Sequence, residues 1–172
     1  ARCFGYPVFN ADKEVGKLYK SNKKIFIKLK KILPKYIKSF PINKNEIIEA
    51  ILGNKTNLKK IIKIVHVEVR KKMYFFINKN KNKKIVILDI PLLLENKINS
   101  RNDILIFIQA KRIDIFKRLK QRKGFNKKII NKFRKIQLSL VYKKKKSHFT
   151  IKNNFTDKSV KKDINAILKK LL

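Results

Sequence analysis

The chain has 172 residues, 44% of them apolar, with four glycines, four prolines and one cysteine. That is long enough for one domain with a real core and too apolar for disorder throughout. The single Cys3 excludes an internal disulfide framework and a multi-cysteine zinc site, and no apolar run approaches the ~20 residues that span a bilayer.

Net charge is +36, from 47 basic and 11 acidic residues. Such charge raises nucleic acid as a partner, through phosphate neutralisation. The basic residues are mostly lysine, scattered from Lys13 to Lys170 with one dense block at Lys143 to Lys146. A dedicated nucleic-acid face concentrates charge and uses arginine for bidentate contacts. The scatter therefore favours compositional drift toward Lys, Ile and Asn. The expectation is a cytoplasmic protein without a membrane segment, folded as one domain over 1–172.

In chain order, Ala1 to Phe4 read as the end of a helix stopped by Gly5. Tyr6 to Phe9 form a short strand. A helix through Val15, Leu18 and Tyr19 follows, and Ser21 is placed to cap the next one, with Ile25, Ile27, Leu29 and Ile32 ahead of Pro34. Asn43 or Asn45 caps a short helix closed by Gly53. Leu58, Ile61, Ile62, Val65, Val69 and Met73 recur at three- and four-residue steps and mark one face of a long helix. After the polar turn 78–82, Ile85 to Ile90 reads as a central strand, because an unbroken β-branched run needs cover on both faces.

The stretch KIVILDIPLLLE carries an acid, Asp89, near the end of that strand, breaks at Pro91 and ends on Glu95. Residues 104–108 form another apolar strand. A helical stripe through Ile115, Leu119 and Arg122 stops at Gly124, and Asn126 caps a helix bearing Ile129, Ile130, Phe133 and Ile136. Phe149 to Ile151 is a last strand; Thr156 or Asp157 caps a final helix through Val160 to Leu171. Strands alternating with helices predict an α/β fold with a mostly parallel sheet, whose ligands bind at the carboxyl ends of the strands. Asp89 and Glu95 then stand at the functional edge. Asp89 there either holds Mg²⁺, directly or through water, or is a capping or salt-bridged acid.

Several stretches together resemble the dephospho-coenzyme A kinase family, which has a P-loop, nucleoside-monophosphate-kinase-like fold. GYPVFNAD resembles the family's G-x-P-V-I-D-A-D, with Asp12 on its second Asp. IVHVEVR resembles I-x-H-P-x-V-R, matching His66 and Arg70. VILDIPLLLE resembles V-L-D-I-P-L-L-F-E, matching Pro91, Leu92, Leu93 and Glu95. RLKQRKGFN resembles R-L-x-x-R-x-G-x-S, matching Arg118, Arg122 and Gly124. Gln137, Lys143, Ile151 and Asn153 fit the family's last segment.

The resemblance implies a three-layer fold with a helical lid near 111–140. It implies transfer of the γ-phosphoryl of ATP, with Mg²⁺, to the ribose 3′-hydroxyl of dephospho-coenzyme A, the last step of coenzyme A biosynthesis. It places Asp12 near the acceptor hydroxyl as orienting group or base; otherwise Asp12 is a helix-opening cap. Arg118 and Arg122 fall where guanidinium groups neutralise the transferring phosphoryl. His66, Arg70, Pro91, Leu92, Glu95 and Lys143 fall on the acceptor-binding side. Asn153 either meets the adenine or closes the last turn.

Departures are Asn10 for the first Asp of D-A-D, Val67 for the proline after His66, Gln109 and Lys111 for a D-x-P element, and Ser147-His148 for an A-D element. The largest is that no G-x-x-x-x-G-K-[ST] occurs; the glycines are Gly5, Gly16, Gly53 and Gly124. The expectation is that the central first strand and its nucleotide loop lie outside these residues, and that the 172-residue chain alone is poorly stable, aggregation-prone and inactive with ATP. Two competing readings are a lysine-rich RNA- or ribosome-associated protein and a kinase relative that no longer catalyses.

Overall fold

The computed structural model describes residues 5–122 and 124–172. They form two compact units, divided after Pro91. The expected helix end over Ala1 to Phe4 lies outside the described residues; Gly5 has a positive φ, +71°.

The first unit runs β1 (Val8–Asn10), α1 (Ala11–Ser21), α2 (Lys23–Ile32), α3 (Lys44–Gly53), α4 (Asn57–Lys79) and β2 (Ile87–Asp89). Its centre is the α4 stripe. Leu58, Ile61, Val65, Val69 and Met73 are buried, as their spacing predicts, and α4 packs on α1, α2 and α3. Leu18, Ile25, Leu29 and Ile37 are fully buried beside it. Ile27, on the opposite side of α2 from Ile25 and Leu29, is exposed.

The caps show how local chemistry sets the element ends. Asn22, not Ser21, caps α2: its side chain accepts from the Ile25 N–H at 3.0 Å. Ser21 instead donates its hydroxyl back to the Lys17 carbonyl, ending α1. Asn43 caps α3 through the Asn45 N–H. Asn57 is a buried polar side chain in this unit, and its amide donates to the Ala50 carbonyl at 2.8 Å, tying the end of α3 to the start of α4.

Strand β1 pairs with β2 in parallel, with Val8 opposite Ile87, Phe9 opposite Leu88 and Asn10 opposite Asp89. The Phe9 ring lies 5.6 Å from that of Phe76 on α4, which seats the ladder on the helices.

The second unit runs β3 (Ile106–Gln109), α5 (Arg112–Lys120), α6 (Lys127–Ile136), α7 (Leu140–Lys146), β4 (Phe149–Lys152) and α8 (Asp157–Leu171). Strands β3 and β4 pair in parallel from Ile106–Phe149 to Gln109–Lys152. Ile151 and Ile167 are buried where α8 packs on β4.

Three further expectations change. Residues 85–90 and 104–108 are not covered on both faces: Ile87 and Leu88 are half-buried, while Ile106 and Ile108 are 42% and 54% exposed. Each ladder has only two strands among the described residues, so an apolar run here does not mark a fully enclosed strand. The lysine block 143–146 is the end of a helix that composition concealed; Ser139 starts it by accepting the Tyr142 N–H. The start of α8 is held not by Thr156 or Asp157 side chains but by Asn154, whose Oδ1 accepts from the Thr156 N–H and from the Thr156 and Ser159 hydroxyls. No helix of the described residues is long and apolar enough to cross a membrane.

Candidate active site

In the first unit, the carboxyl ends of β1 and β2 meet at Asn10 and Asp89. The Asn10 amide donates to Asp89 Oδ2 at 2.6 Å, while its carbonyl oxygen accepts the Lys13 N–H and caps α1. One side chain thus joins strand, helix start and acid. Asp12 lies in the first turn of α1 and is exposed. There its charge suits the positive end of the helix dipole. The alternative of Asp12 as the cap is answered by Asn10, which does the capping. His66 and Arg70 are four residues apart on α4, so they share a face; His66 is half-buried and Arg70 exposed.

Pro91 to Lys97 form a continuous turn. Leu92 takes a φ of +60°, and Lys97 one of +49°. A leucine in the left-handed region is strained and persists only when its surroundings fix it. Here Leu92 is buried, and its carbonyl accepts from both the backbone N–H and the side-chain amide of Asn96.

In the second unit, this turn delivers Glu95 to Lys143 of α7. Glu95 Oε1 accepts the Lys143 ammonium at 2.6 Å and the Leu138 N–H at 2.9 Å. The Glu95 side chain is 8% exposed. Burial pushes its carboxyl up, but the Lys143 ammonium and the Glu95 and Leu138 backbone N–H groups outweigh that and hold it below the ordinary value of 4.5.

Arg118 is on α5, and its guanidinium lies 4.6 Å from the centre of the Phe155 ring. Phe155 has a φ of +64°, held by its N–H donating to the Asn153 side chain at 2.8 Å. Asn153 in turn donates its own N–H to the Gln109 carbonyl at the end of β3. Asn153, Phe155 and Arg118 are therefore one contact chain at the carboxyl end of the β3–β4 ladder. Arg122 is off the helix: α5 ends at Lys120, and Arg122 sits in the turn that closes onto Phe125. Gly124 makes that turn with a φ of +80°.

Sequence reasoning missed Phe155 and His148. Phe155 carries no glycine or asparagine signal for its backbone, although the Asn153-Asn154 pair before it is one. His148 Nδ1 accepts the Leu105 N–H at 2.9 Å, and the Leu105 carbonyl accepts the His148 N–H at 2.8 Å. An acid is expected at this position from the resemblance; His148 keeps the acceptor with a ring nitrogen.

The four glycines build no phosphate loop. Gly16 is inside α1, Gly53 ends α3 against the Tyr36 ring, and Gly5 and Gly124 make single turns.

Parallel ladders linked through helices, with polar side chains at their carboxyl ends, give an α/β fold. A crystal structure of TT1252 from Thermus thermophilus superposes with a TM-score of 0.75 at 21% identity, over 99% of this chain and 87% of that one. Dephospho-CoA kinase from Campylobacter jejuni superposes at 0.62, with the same identity and coverage. In sequence, the chain is 32% identical to dephospho-CoA kinase of Wolbachia pipientis wMel over 99% of this chain and 90% of that protein. It is 28% identical to the Bartonella quintana (strain Toulouse) enzyme of that name over 98% and 87%. The family model for dephospho-CoA kinase matches residues 1–159. The chain belongs to the dephospho-CoA kinase family.

Proposed function

We propose that this chain's residues serve the family's reaction, phosphorylation of dephospho-CoA by ATP, in the following roles. Asp12 orients the ribose 3′-hydroxyl and takes its proton as the bond to phosphorus forms. The observation that carries this is that Asp12 is exposed in the first turn of α1, directly after the carboxyl end of β1. Arg118 and Arg122 neutralise charge that spreads over the phosphoryl oxygens during transfer. Arg118 is suited to this because its guanidinium is held against the Phe155 ring. Arg70 and, one turn earlier, His66 face the anionic acceptor, with Pro91 and Leu92 shaping its wall. Asn153 borders the adenine.

Mg²⁺ bound with a triphosphate would keep several waters and would need one or two carboxylates from the protein. Among the described residues no three His, Cys, Asp or Glu groups gather to hold a metal. Asp89, exposed at a strand end, fits the lesser demand, as a ligand directly or through water. The ion would neutralise phosphate charge there. Exposed lysines occur on nearly every helix rather than in one segment of the chain, which supports drift over a dedicated nucleic-acid element. The chain is taken as one kinase-like domain of the cytoplasm, with α5 and α6 as its lid.

Phosphoryl transfer from ATP to dephospho-CoA by the full-length enzyme tests the assignment. Asp12→Asn is expected to slow turnover by ~10²-fold or more with little change in folding. An unchanged rate removes Asp12 from the chemistry.

A further inference from the structure

The Glu95–Lys143 contact sits where three pieces of chain meet. Glu95 comes from the strained turn 91–97, Lys143 from α7, and Leu138 from the short link between α6 and α7. That link is pinned at both sides of Leu138. Gln137 donates its N–H to the Arg134 carbonyl and closes α6, and Ser139 caps α7. Glu95 supplies the middle fixture, so the whole link is held by one carboxylate oxygen and two helix caps. Its other oxygen, Oε2, is buried and accepts no hydrogen bond among the described residues. A carboxylate held this way is costly unless its charge is matched, and Lys143 matches it.

Both residues fall on the acceptor-binding side in the sequence resemblance. The geometry pairs them with each other. We propose that Glu95 and Lys143 are positioning residues, an ion-pair clasp that fixes the α6–α7 link to the 91–97 turn and thereby sets the base of the α5–α6 segment, which holds Arg118 on α5 and Arg122 in the turn after it. Removing either partner frees the same link, so the two substitutions act as one. Independent contacts to a substrate would add.

The proposal rests in part on the lid role given to α5 and α6, and the experiment separates the two. Amide hydrogen exchange is followed at residues 137–140 in wild-type protein, Glu95→Gln, Lys143→Met and the double variant, with no substrate present. Glu95→Gln keeps shape and one acceptor, so folding survives. The expected result is a slowly exchanging Leu138 amide that becomes about tenfold faster in each single variant and no faster in the double. In parallel assays of the full-length enzyme, kcat falls several-fold in both variants and does not fall further in the double, with KM for dephospho-CoA unchanged.

An exchange rate at Leu138 unaltered by Lys143→Met overturns the clasp. Additive rises in KM with intact exchange protection also overturn it and return both residues to the substrate. Lost protection with unchanged kcat keeps the clasp and removes its link to the arginines, so the positioning role fails.

Discussion

Asn10 and Asp89 face each other across the β1–β2 ladder and are joined by a 2.6 Å hydrogen bond from amide to carboxylate. The residue at position 10 must donate to the acid and accept from the Lys13 N–H at once. Asparagine does both; aspartate does only the second. Asn10→Asp places two carboxylates directly opposite, which costs roughly 0.2–1 kcal/mol for like charges across a ladder, plus a lost hydrogen bond of about 1 kcal/mol. Thermal unfolding at neutral pH is expected to show that loss. Millimolar Mg²⁺ should recover part of it in the variant and little in the wild type, because only the variant presents paired carboxylates. An equal response of both proteins to the cation would show that the two side chains do not face one another.

Glu95 gives a pH dependence whose sign follows from its environment. Its folded-state carboxyl lies below the ordinary 4.5. Its contribution to stability is therefore full above that value and is lost as pH falls through the lower, folded one. Wild-type protein should lose stability steeply on acidification through this range, and Glu95→Gln should lose less over the same interval. Denaturant titrations at a series of pH values check this; parallel curves for the two proteins would mean that folding does not shift the Glu95 carboxyl.

At the entrance to β3 and β4, His148 and Leu105 exchange two hydrogen bonds. His148→Ala is expected to cost about 0.5–1.5 kcal/mol by removing the acceptor. His148→Asp restores an acceptor and should recover much of that. Urea midpoints decide: if alanine and aspartate are equally destabilising, the ring nitrogen contributes no acceptor there.

Phe155 tests how Arg118 is aimed. A cation over an aromatic ring contributes about 0.5–1 kcal/mol at an exposed site, so Phe155→Leu should lower kcat by roughly two- to fivefold. Arg118→Lys keeps the charge and loses the planar fork; it is expected to cost more, ~10²-fold or beyond. Steady-state kinetics on the full-length enzyme would contradict this ordering if the Phe155 substitution were the more damaging.

Helices carried by regular spacing were legible before any coordinates. The α4 stripe repeats every three or four residues, and Asn43 and Asn126 announce the starts of α3 and α6. Composition misled where packing decides. Apolar runs at 85–90 and 104–108 predict enclosure, yet exposure depends on how many strands flank them, which no local pattern records. The tail of α7 was hidden because four successive lysines resemble a solvated run, although Ser139 carries the start signal. Residue types at the site were legible through the dephospho-CoA kinase motifs. Their pairings were not: that Glu95 meets Lys143, or that Arg118 lies on Phe155, depends on contacts between residues 37 to 48 positions apart. Such contacts have no period to betray them.

Asn57 has a bearing beyond its own hydrogen bond. A seam of aliphatic side chains between two helices tolerates several sliding arrangements of nearly equal energy, whereas one amide that must find one carbonyl, that of Ala50, selects among them. The α3–α4 corner is thereby indexed like a keyed shaft. An aliphatic substitute such as Asn57→Leu should leave the helices formed at a cost of about 1–3 kcal/mol for the stranded Ala50 carbonyl, while broadening the methyl resonances of Ile51 and Leu58 as the corner samples neighbouring settings.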